Sequence, residues 1–413
     1  MFPNINNVSE SEEPKTRIVI IGGGIAGVSA ADELRRRSQG TDITILSKET
    51  QLPYYRVNLT RYLAGEINED KLPIHPEKWY EENKIKLKLG IEVQGIDREN
   101  KRVLLSTGDV LEYDRLIIAA GAKPYIPEIK GSSLANIVTV RNIHDAKYIM
   151  EKLKEYHSCI CIGGGILGLE TAGSIAKRGL GVTLLINSEW LMPLQLNKKA
   201  GLLVKKHMNE IGVQIRENSN VVEIMGEKCC EGVKLENGET LESKLVIITA
   251  GVKPDLNILK DTGLEMENGL IVNDRMQTSD HFIYAAGDIS EHRGITYGLW
   301  SVAMNQGKTA ALNILGISTE FPGLPRSYLL KVLGVEMFSI GEIDTDEDCS
   351  IYEKETEKEY YMFAIKYGRI IGSILVGDIT LSTRVKKAVE NEVVFPPDVL
   401  ENIESIMKKL KEM

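Results

Sequence analysis

Cysteine is scarce in this 413-residue chain: five residues, at 159, 161, 229, 230 and 349, and nowhere a C-x-x-C pair. That excludes a redox-active disulfide or a cysteine-ligated cluster in its usual form. Cys159 and Cys161 fall in an apolar run, where small thiols pack. Cys229 and Cys230 are adjacent and poorly placed to bridge each other, and the sequence assigns them no role. Histidine is nearly as rare, six in all with no ligand-like spacing, so a metal site has no support. Basic charge is in deficit, and the net charge of −9 argues against a general affinity for nucleic acid or anionic membrane. Long apolar runs are missing too: the longest are short and broken by glycine, so no segment reads as membrane-spanning. Residues 1–15 are polar and acidic, lack the apolar core of a signal peptide and read as a loose tail. The default location is the cytoplasm.

Glycine, by contrast, is abundant, 37 residues beside 43% hydrophobic content, which suits an α/β protein rich in tight turns and long enough for two or three domains. Residues 16–47 read TRIVIIGGGIAGVSAADELRRRSQGTDITILS. A β-branched run meets a glycine turn that opens a helix, and a second apolar run follows. Gly22, Gly24 and Gly27 give G-x-G-x-x-G in a strand–turn–helix–strand setting. In that motif the first glycine makes the tight turn, the second lets backbone approach a pyrophosphate, and the third lets helix and strand pack closely. The helix N-terminus then offers free N–H groups to the phosphates.

One such motif is weak evidence, but this one recurs. From Ser158 the chain reads SCICIGGGILGLETAGSIAKRGLGVTLLI, with Gly163, Gly165 and Gly168 in the same positions. Two units point to two bound dinucleotides and to electron traffic between them, since flavins and nicotinamides carry hydride. The plainer alternative is two α/β units of which one binds ligand.

After the first unit, residues 48–61 read KETQLPYYRVNLTR. This run resembles the L-P-Y-x-R-P-x-L-S-K segment of the two-dinucleotide flavoprotein reductases, the glutathione-reductase-like superfamily. Its nearest likeness is to NADH:rubredoxin oxidoreductases and to the flavoprotein half of NADH-dependent nitrite reductases. The resemblance implies that Arg56 contacts the flavin pyrophosphate, where a planar guanidinium can grip two oxygens. It places Arg61 near the isoalloxazine ring. Both could instead belong to a solvated basic loop. Ser47 stands where a ribose-binding acid is expected; by resemblance Glu49, beside Lys48, takes that role, and backbone near Val93 receives the adenine. Residues 85–103 alternate as short strands do.

Residues 113–124, YDRLIIAAGAKP, resemble the A-T-G-x-x-P crossing between flavin and nicotinamide domains, with Ala120 for threonine and Gly121 following. Residues 245–254, LVIITAGVKP, with Gly251, form the matching return. The expected fold is therefore α/β: two Rossmann-like dinucleotide-binding domains, one inserted in the other, plus a small α+β C-terminal domain. The boundaries read 16–114 and 244–322 for FAD, 115–243 for NAD(H) and 323–413 for the last domain. Within the insertion, the resemblance puts Glu170 beside the nicotinamide; the alternative is an exposed first-turn glutamate on the helix dipole. At the end of residues 182–186, Ile186 occupies the usual acidic position, and no arginine follows it in the loop. That favours NADH over NADPH, weakly for want of the acid.

Residues 278–288, TSDHFIYAAGD, resemble the family's T-S-x-x-x-I-Y-A-x-G-D signature. Asp288 would accept hydrogen bonds from the flavin's ribityl hydroxyls, with Ile289 beside it; a turn aspartate is the alternative. Residues 300–315 have helical spacing; the resemblance implies that their N-terminal end would face the pyrimidine side of the ring near Ala303, with Trp300 as packing. Beyond residue 321 the segments 329–335, 360–366 and 370–376 read as strands, and 381–390 and 399–409 as helices.

The resemblance implies an FAD-dependent NADH:acceptor oxidoreductase. Its partner would be a small electron-acceptor protein, either rubredoxin or an iron–sulfur or sirohaem subunit, and the chain a monomer or homodimer. No cysteine lies between 47 and 61, where coenzyme A disulfide reductases and water-forming oxidases carry theirs. A peroxide-forming NADH oxidase and a non-catalytic flavoprotein redox sensor are the alternatives.

Overall fold

The computed structural model describes residues 15–332, 334–343 and 348–413. The chain divides into two compact units, described separately. The tail expected at 1–15 lies, but for residue 15, outside the described residues, as does Leu333.

The first unit comprises residues up to Tyr54, Pro73–Ala122 and Pro254–Gly323. Its centre is a five-stranded parallel sheet in the spatial order Ile283–Ala285, Arg115–Ile118, Thr16–Ile21, Thr41–Ser47, Ile85–Leu89. Strands Thr16–Ile21, Thr41–Ser47 and Arg115–Ile118 are buried along most of their length, which is why they read as near-continuous apolar runs, whereas the edge strand Ile85–Leu89 alternates buried and exposed residues. Ile18, Ile20, Ile43, Ile45 and Ile117 are almost wholly buried; each contributes about 1.5–3 kcal/mol relative to exposure. Helix Ile25–Arg37 packs against helix Trp300–Ile314 so closely that a Cβ at Gly307 would overlap the Ala26 carbonyl. A three-stranded antiparallel meander, Val93–Asp97, Arg102–Leu105 and Val110–Glu112, completes the unit.

The second unit comprises Tyr55–Leu72, Lys123–Lys253 and Leu324–Met413. It repeats the architecture: a parallel sheet ordered Val213–Arg216, Gly181–Leu185, Ser158–Ile162, Val246–Ile248, Ile137–Thr139, and its own meander. The short helix Leu59–Ala64 belongs to this unit and lies on helix Ile166–Lys177.

Its C-terminal part is a five-stranded antiparallel sheet over which helices Ser382–Glu390 and Ile403–Glu412 pack. The single strand expected at 329–335 is two: Ser327–Val332 and Val335–Gly341 pair antiparallel, and Gly334, at φ +86°, lies in the turn. A left-handed glycine is the residue that permits so tight a reversal. The helix expected at 399–409 also differs. Val399–Glu401 is a 3₁₀ turn, and Asn402 then caps Ile403–Glu412 by accepting from the Ser405 N–H at 2.9 Å.

Candidate active site

In the first unit, four loops leave the carboxyl ends of neighbouring strands of the parallel sheet, the place where open α/β sheets bind ligands. They carry Gly22, the segment 47–49, Ala120–Gly121 and Asp288 respectively. Gly22 turns at φ +117°, and a Cβ there would overlap the Ala119 carbonyl. A Cβ at Gly27 would overlap the carbonyl oxygen of Gly22. Gly24 differs: it is the N-cap of helix Ile25–Arg37, no side chain caps that helix, no acid stands in its first turn, and the space before it is open to 4 Å.

Glu49 accepts a hydrogen bond from the Tyr54 hydroxyl at 2.7 Å, while Lys48 reaches out to Glu92 at 2.6 Å. The amides of Gly90 and Ile91 bond to the carbonyls of Glu49 and Ser47, which brings the strand starting at Val93 beside the Glu49 loop. Val93 itself is buried at a bulge. Around Asp288 the turn is built by a residue the sequence did not point to. Buried Gln306 accepts from the Gly287 N–H at 2.9 Å and from the Ser290 hydroxyl at 3.1 Å, while its own Nε2 has no partner among the described residues. Gln306 lies one turn beyond Ala303, which is itself buried, as is Ile289.

The second unit builds the same cradle. Gly163 turns at φ +121° against Thr249, whose hydroxyl donates to the Ile162 carbonyl at 3.1 Å. Gly168 packs on both Gly163 and Thr249. Gly165 again N-caps an uncapped helix, Ile166–Lys177, with open space before it and no acid in the first turn. Gly251, at φ +108°, has equally open surroundings. Two of the residues that resemblance sends to the flavin sit in this unit: Arg56 donates to the Arg141 carbonyl at 2.8 Å, and Arg61 pairs with Glu66 at 3.1 Å.

Glu170 lies in the second turn of its helix, not the first, so the dipole explanation for an acid there does not apply. It is half-buried, and its Oε2 accepts from the Thr60 hydroxyl at 3.1 Å. Burial pushes the carboxyl up to about 7, and the Thr60 hydrogen bond works in the opposite direction. Ile186 is buried, and the loop after it carries Glu189, which Lys198 holds at 3.1 Å. The loop has no arginine, but the adjacent strand supplies one: the Ile186 amide bonds to the Arg216 carbonyl at 3.0 Å, and the Arg216 fork grips Glu239 through two bonds of 2.7 Å.

The profile described as pyridine nucleotide-disulphide oxidoreductase matches residues 16–307, and that of the rubredoxin NAD+ reductase C-terminal domain matches 327–393. The chain belongs to the pyridine nucleotide-disulphide oxidoreductase family. It is 33% identical over 395 residues to the NADH-rubredoxin oxidoreductase of Clostridium acetobutylicum, covering 96% of this chain and 99% of that one. It is 32% identical over 382 residues to the nitrite reductase [NAD(P)H] of Bacillus subtilis, where it spans 92% of itself but 48% of the relative. The crystal structure of the Clostridium acetobutylicum NADH:rubredoxin oxidoreductase superposes with a TM-score of 0.81 at 32% identity, over 96% of this chain and all of that one.

The expected α/β fold and the family resemblance are therefore borne out. Oxidoreductase chemistry with FAD and NADH goes with membership, and the residues present fit those groups. Each cradle pairs an uncapped helix N-terminus with a glycine whose missing side chain leaves room for a phosphate. No described helix is long and apolar enough to cross a membrane, and no described cluster of His, Cys, Asp or Glu could hold a metal ion.

Proposed function

We propose that this chain takes electrons from NADH onto FAD and hands them to a small iron protein, rubredoxin first, or an iron–sulfur or sirohaem subunit that reduces nitrite. One observation carries this reading: two glycine-led, uncapped helix N-termini in a single chain that holds no C-x-x-C pair, the free thiols of Cys159 and Cys161 being buried in the strand before Gly163. Electrons entering by such a route pass to the acceptor without a C-x-x-C relay. Rubredoxin comes first because the match to the rubredoxin reductase C-terminal domain, over 327–393, adds to that of the two-nucleotide body. The nitrite alternative rests on the relative matched over 92% of this chain.

In this reading residues 16–114 and 244–322 form the FAD-binding domain, 115–243 the NADH-binding domain and 323–413 a C-terminal domain. Gly22, Gly24 and Gly27 cradle the flavin pyrophosphate, and Arg56 contacts it. Glu49 binds the ribose, with Lys48 and Val93 at the adenosine end. Ala120, Gly121, Asp288, Ile289 and Ala303 line the flavin, and Arg61 stands by the ring. Gly163, Gly165, Gly168 and Gly251 bind NADH, with Glu170 at the nicotinamide. FAD, when bound, supplies a group that accepts hydride and can release electrons singly. The chain's own work is positioning, which accounts for much of the rate in such transfers. NADH is an intracellular reductant, which supports a cytoplasmic location in this reading.

The test is anaerobic stopped flow on the FAD-loaded protein. NADH should bleach the yellow colour, and rubredoxin or a sirohaem subunit should restore it far faster than oxygen does. Fastest return with oxygen would make it an oxidase. No bleaching at all would leave the redox sensor.

A further inference from the structure

Thr60 reaches Glu170 across 110 positions of sequence, and the short helix that carries it is fixed from several sides. The Ser174 hydroxyl, one turn beyond Glu170, is shared between the Thr60 carbonyl at 2.8 Å and the Glu170 carbonyl at 2.6 Å. The Arg178 guanidinium donates to the Leu63 carbonyl, and it lies so near Gly65 that a Cβ there would stand 2.8 Å from Nη2. Helix Leu59–Ala64 is thus bonded to both ends of the segment 170–178.

Among the described residues Thr60 is the one side chain hydrogen-bonded to Glu170, and no cation pairs with it. The neighbouring cations are otherwise engaged. Arg61 and Lys177 both bind Glu66, at 3.1 and 2.8 Å, and Arg216 binds Glu239. The remaining titratable groups on elements packed against this helix are Tyr62, Tyr328, Lys331 and the buried thiols of Cys159 and Cys161. Among the described residues, a half-buried carboxyl is therefore served by one hydroxyl donor.

We propose that Thr60 is a positioning residue, its hydroxyl holding the Glu170 carboxyl in the orientation and ionised form that receive the nicotinamide carboxamide. The inference rests on the reading that places Glu170 beside the nicotinamide. An ionised carboxylate has acceptor capacity for two partners. Oε2 takes the Thr60 hydrogen, and Oε1 stays available to the carboxamide N–H of NADH. A hydroxyl donor favours the charged form, whereas burial favours the neutral one. Thr60 thus sets the pH at which the carboxyl becomes a good receptor. With Glu170 raised to about 7, that midpoint falls near neutrality.

The experiment measures the KM for NADH and the rate of flavin bleaching from pH 5.5 to 8.5, on FAD-loaded protein. In the wild type KM should rise as pH falls through about 7. Thr60→Val keeps the shape and removes the donor; its midpoint should move up by about one pH unit, so that KM at neutral pH rises several-fold. Thr60→Ser should restore the wild-type profile, and Glu170→Gln should flatten it. A purely structural role for Thr60 would alter flavin content or melting temperature and leave the midpoint where it was. If the valine variant loses its flavin, Thr60→Ala against Thr60→Ser carries the same comparison. A protein bleached normally by NADH, whose midpoint is the same with and without the hydroxyl, overturns the assignment of Thr60. A wild type that NADH does not bleach overturns the parent reading instead.

Discussion

Gly165 and Gly168 stand three residues apart in one motif, yet the structure gives them different physical duties, and alanine separates these. Gly165 has φ −81° and ψ 178°, a conformation any residue adopts, and nothing lies within 4 Å of where its Cβ would be. Exchanging glycine for alanine at an N-cap weakens a helix by about 1 kcal/mol or less, which lowers the melting temperature by about 2–4 °C. The new methyl, however, stands where backbone must approach a pyrophosphate. NADH should bind at least about tenfold more weakly, a loss of roughly 1.4 kcal/mol. At Gly168 the Cβ would overlap the Gly163 carbonyl and stand 2.8 Å from the Thr249 hydroxyl. Neither can retreat without opening the strand–helix contact, and overpacking of this kind costs about 1–3 kcal/mol. Gly168→Ala should therefore melt several degrees lower even without nucleotide. The assay is thermal melting beside NADH titration of flavin bleaching, with the flavin spectrum as a check on the other cradle. An unchanged KM for NADH in Gly165→Ala would refute the cradle argument. Equal loss of stability in both variants would refute the division of labour.

Other consequences can be checked as directly. Glu239→Gln loosens the grip on Arg216 beside Ile186, so the kcat/KM ratio of NADPH to NADH should rise about threefold or more; steady-state kinetics with both coenzymes reads it. Tyr54→Phe removes the 2.7 Å hydrogen bond to Glu49 and should weaken FAD binding by up to about tenfold, seen by fluorescence on titrating the apoprotein. The Arg293 guanidinium, and then His292, hold the Asp274 carboxyl at about 2, below its ordinary 3.8. A depressed carboxylate gives stability that is fully present above its unfolded value and lost as pH falls through the folded one. Asp274→Asn should therefore melt below the wild type at pH 7, with the gap closing between about pH 4 and pH 2.

What the sequence discloses and what it hides divide along physical lines. The fingerprints were legible because their constraint is local: Gly22 and Gly163 turn at φ values that side chains avoid, and each must sit between one strand and one helix. Residues 329–335 read as one strand where the structure has a hairpin, because a single glycine in an apolar run is ambiguous until its partner strand is known. The pattern over 399–409 reads as one helix although the helix starts at Ile403, because Asn402, a good N-cap, stands inside an otherwise helical spacing. Neither Thr60 with Glu170 nor Arg216 with Ile186 could be read at all. Each pair is brought together by packing of elements far apart in the chain, and sequence spacing carries no trace of it.

The helix ends carry the argument one step further. Six described helices have ten or more residues, and they start in two ways. Ile143–Tyr156, Lys198–Glu210 and Ile403–Glu412 each begin at an asparagine, 142, 197 and 402, whose side chain accepts a hydrogen bond from the first turn. Ile25–Arg37, Ile166–Lys177 and Trp300–Ile314 begin at Gly24, Gly165 and Leu299, with no side-chain cap. A cap is worth about 1 kcal/mol, so this chain caps some long helices well and leaves others without a side-chain cap at their positive ends. The uncapped three are those that the paired fingerprints and the residue 300–315 helix direct toward the nucleotides. A bound phosphate or an electron-rich ring edge can satisfy those donors where an asparagine does elsewhere. The same omission makes the nucleotide-free protein less stable than it could be, and nucleotide binding restores the difference through mass action. Placing an asparagine at Gly24 or Gly165 should accordingly raise the melting temperature of the nucleotide-free protein while weakening the coenzyme at that cradle alone. A variant that gained stability and kept its coenzyme would show that the missing caps have nothing to do with the nucleotides.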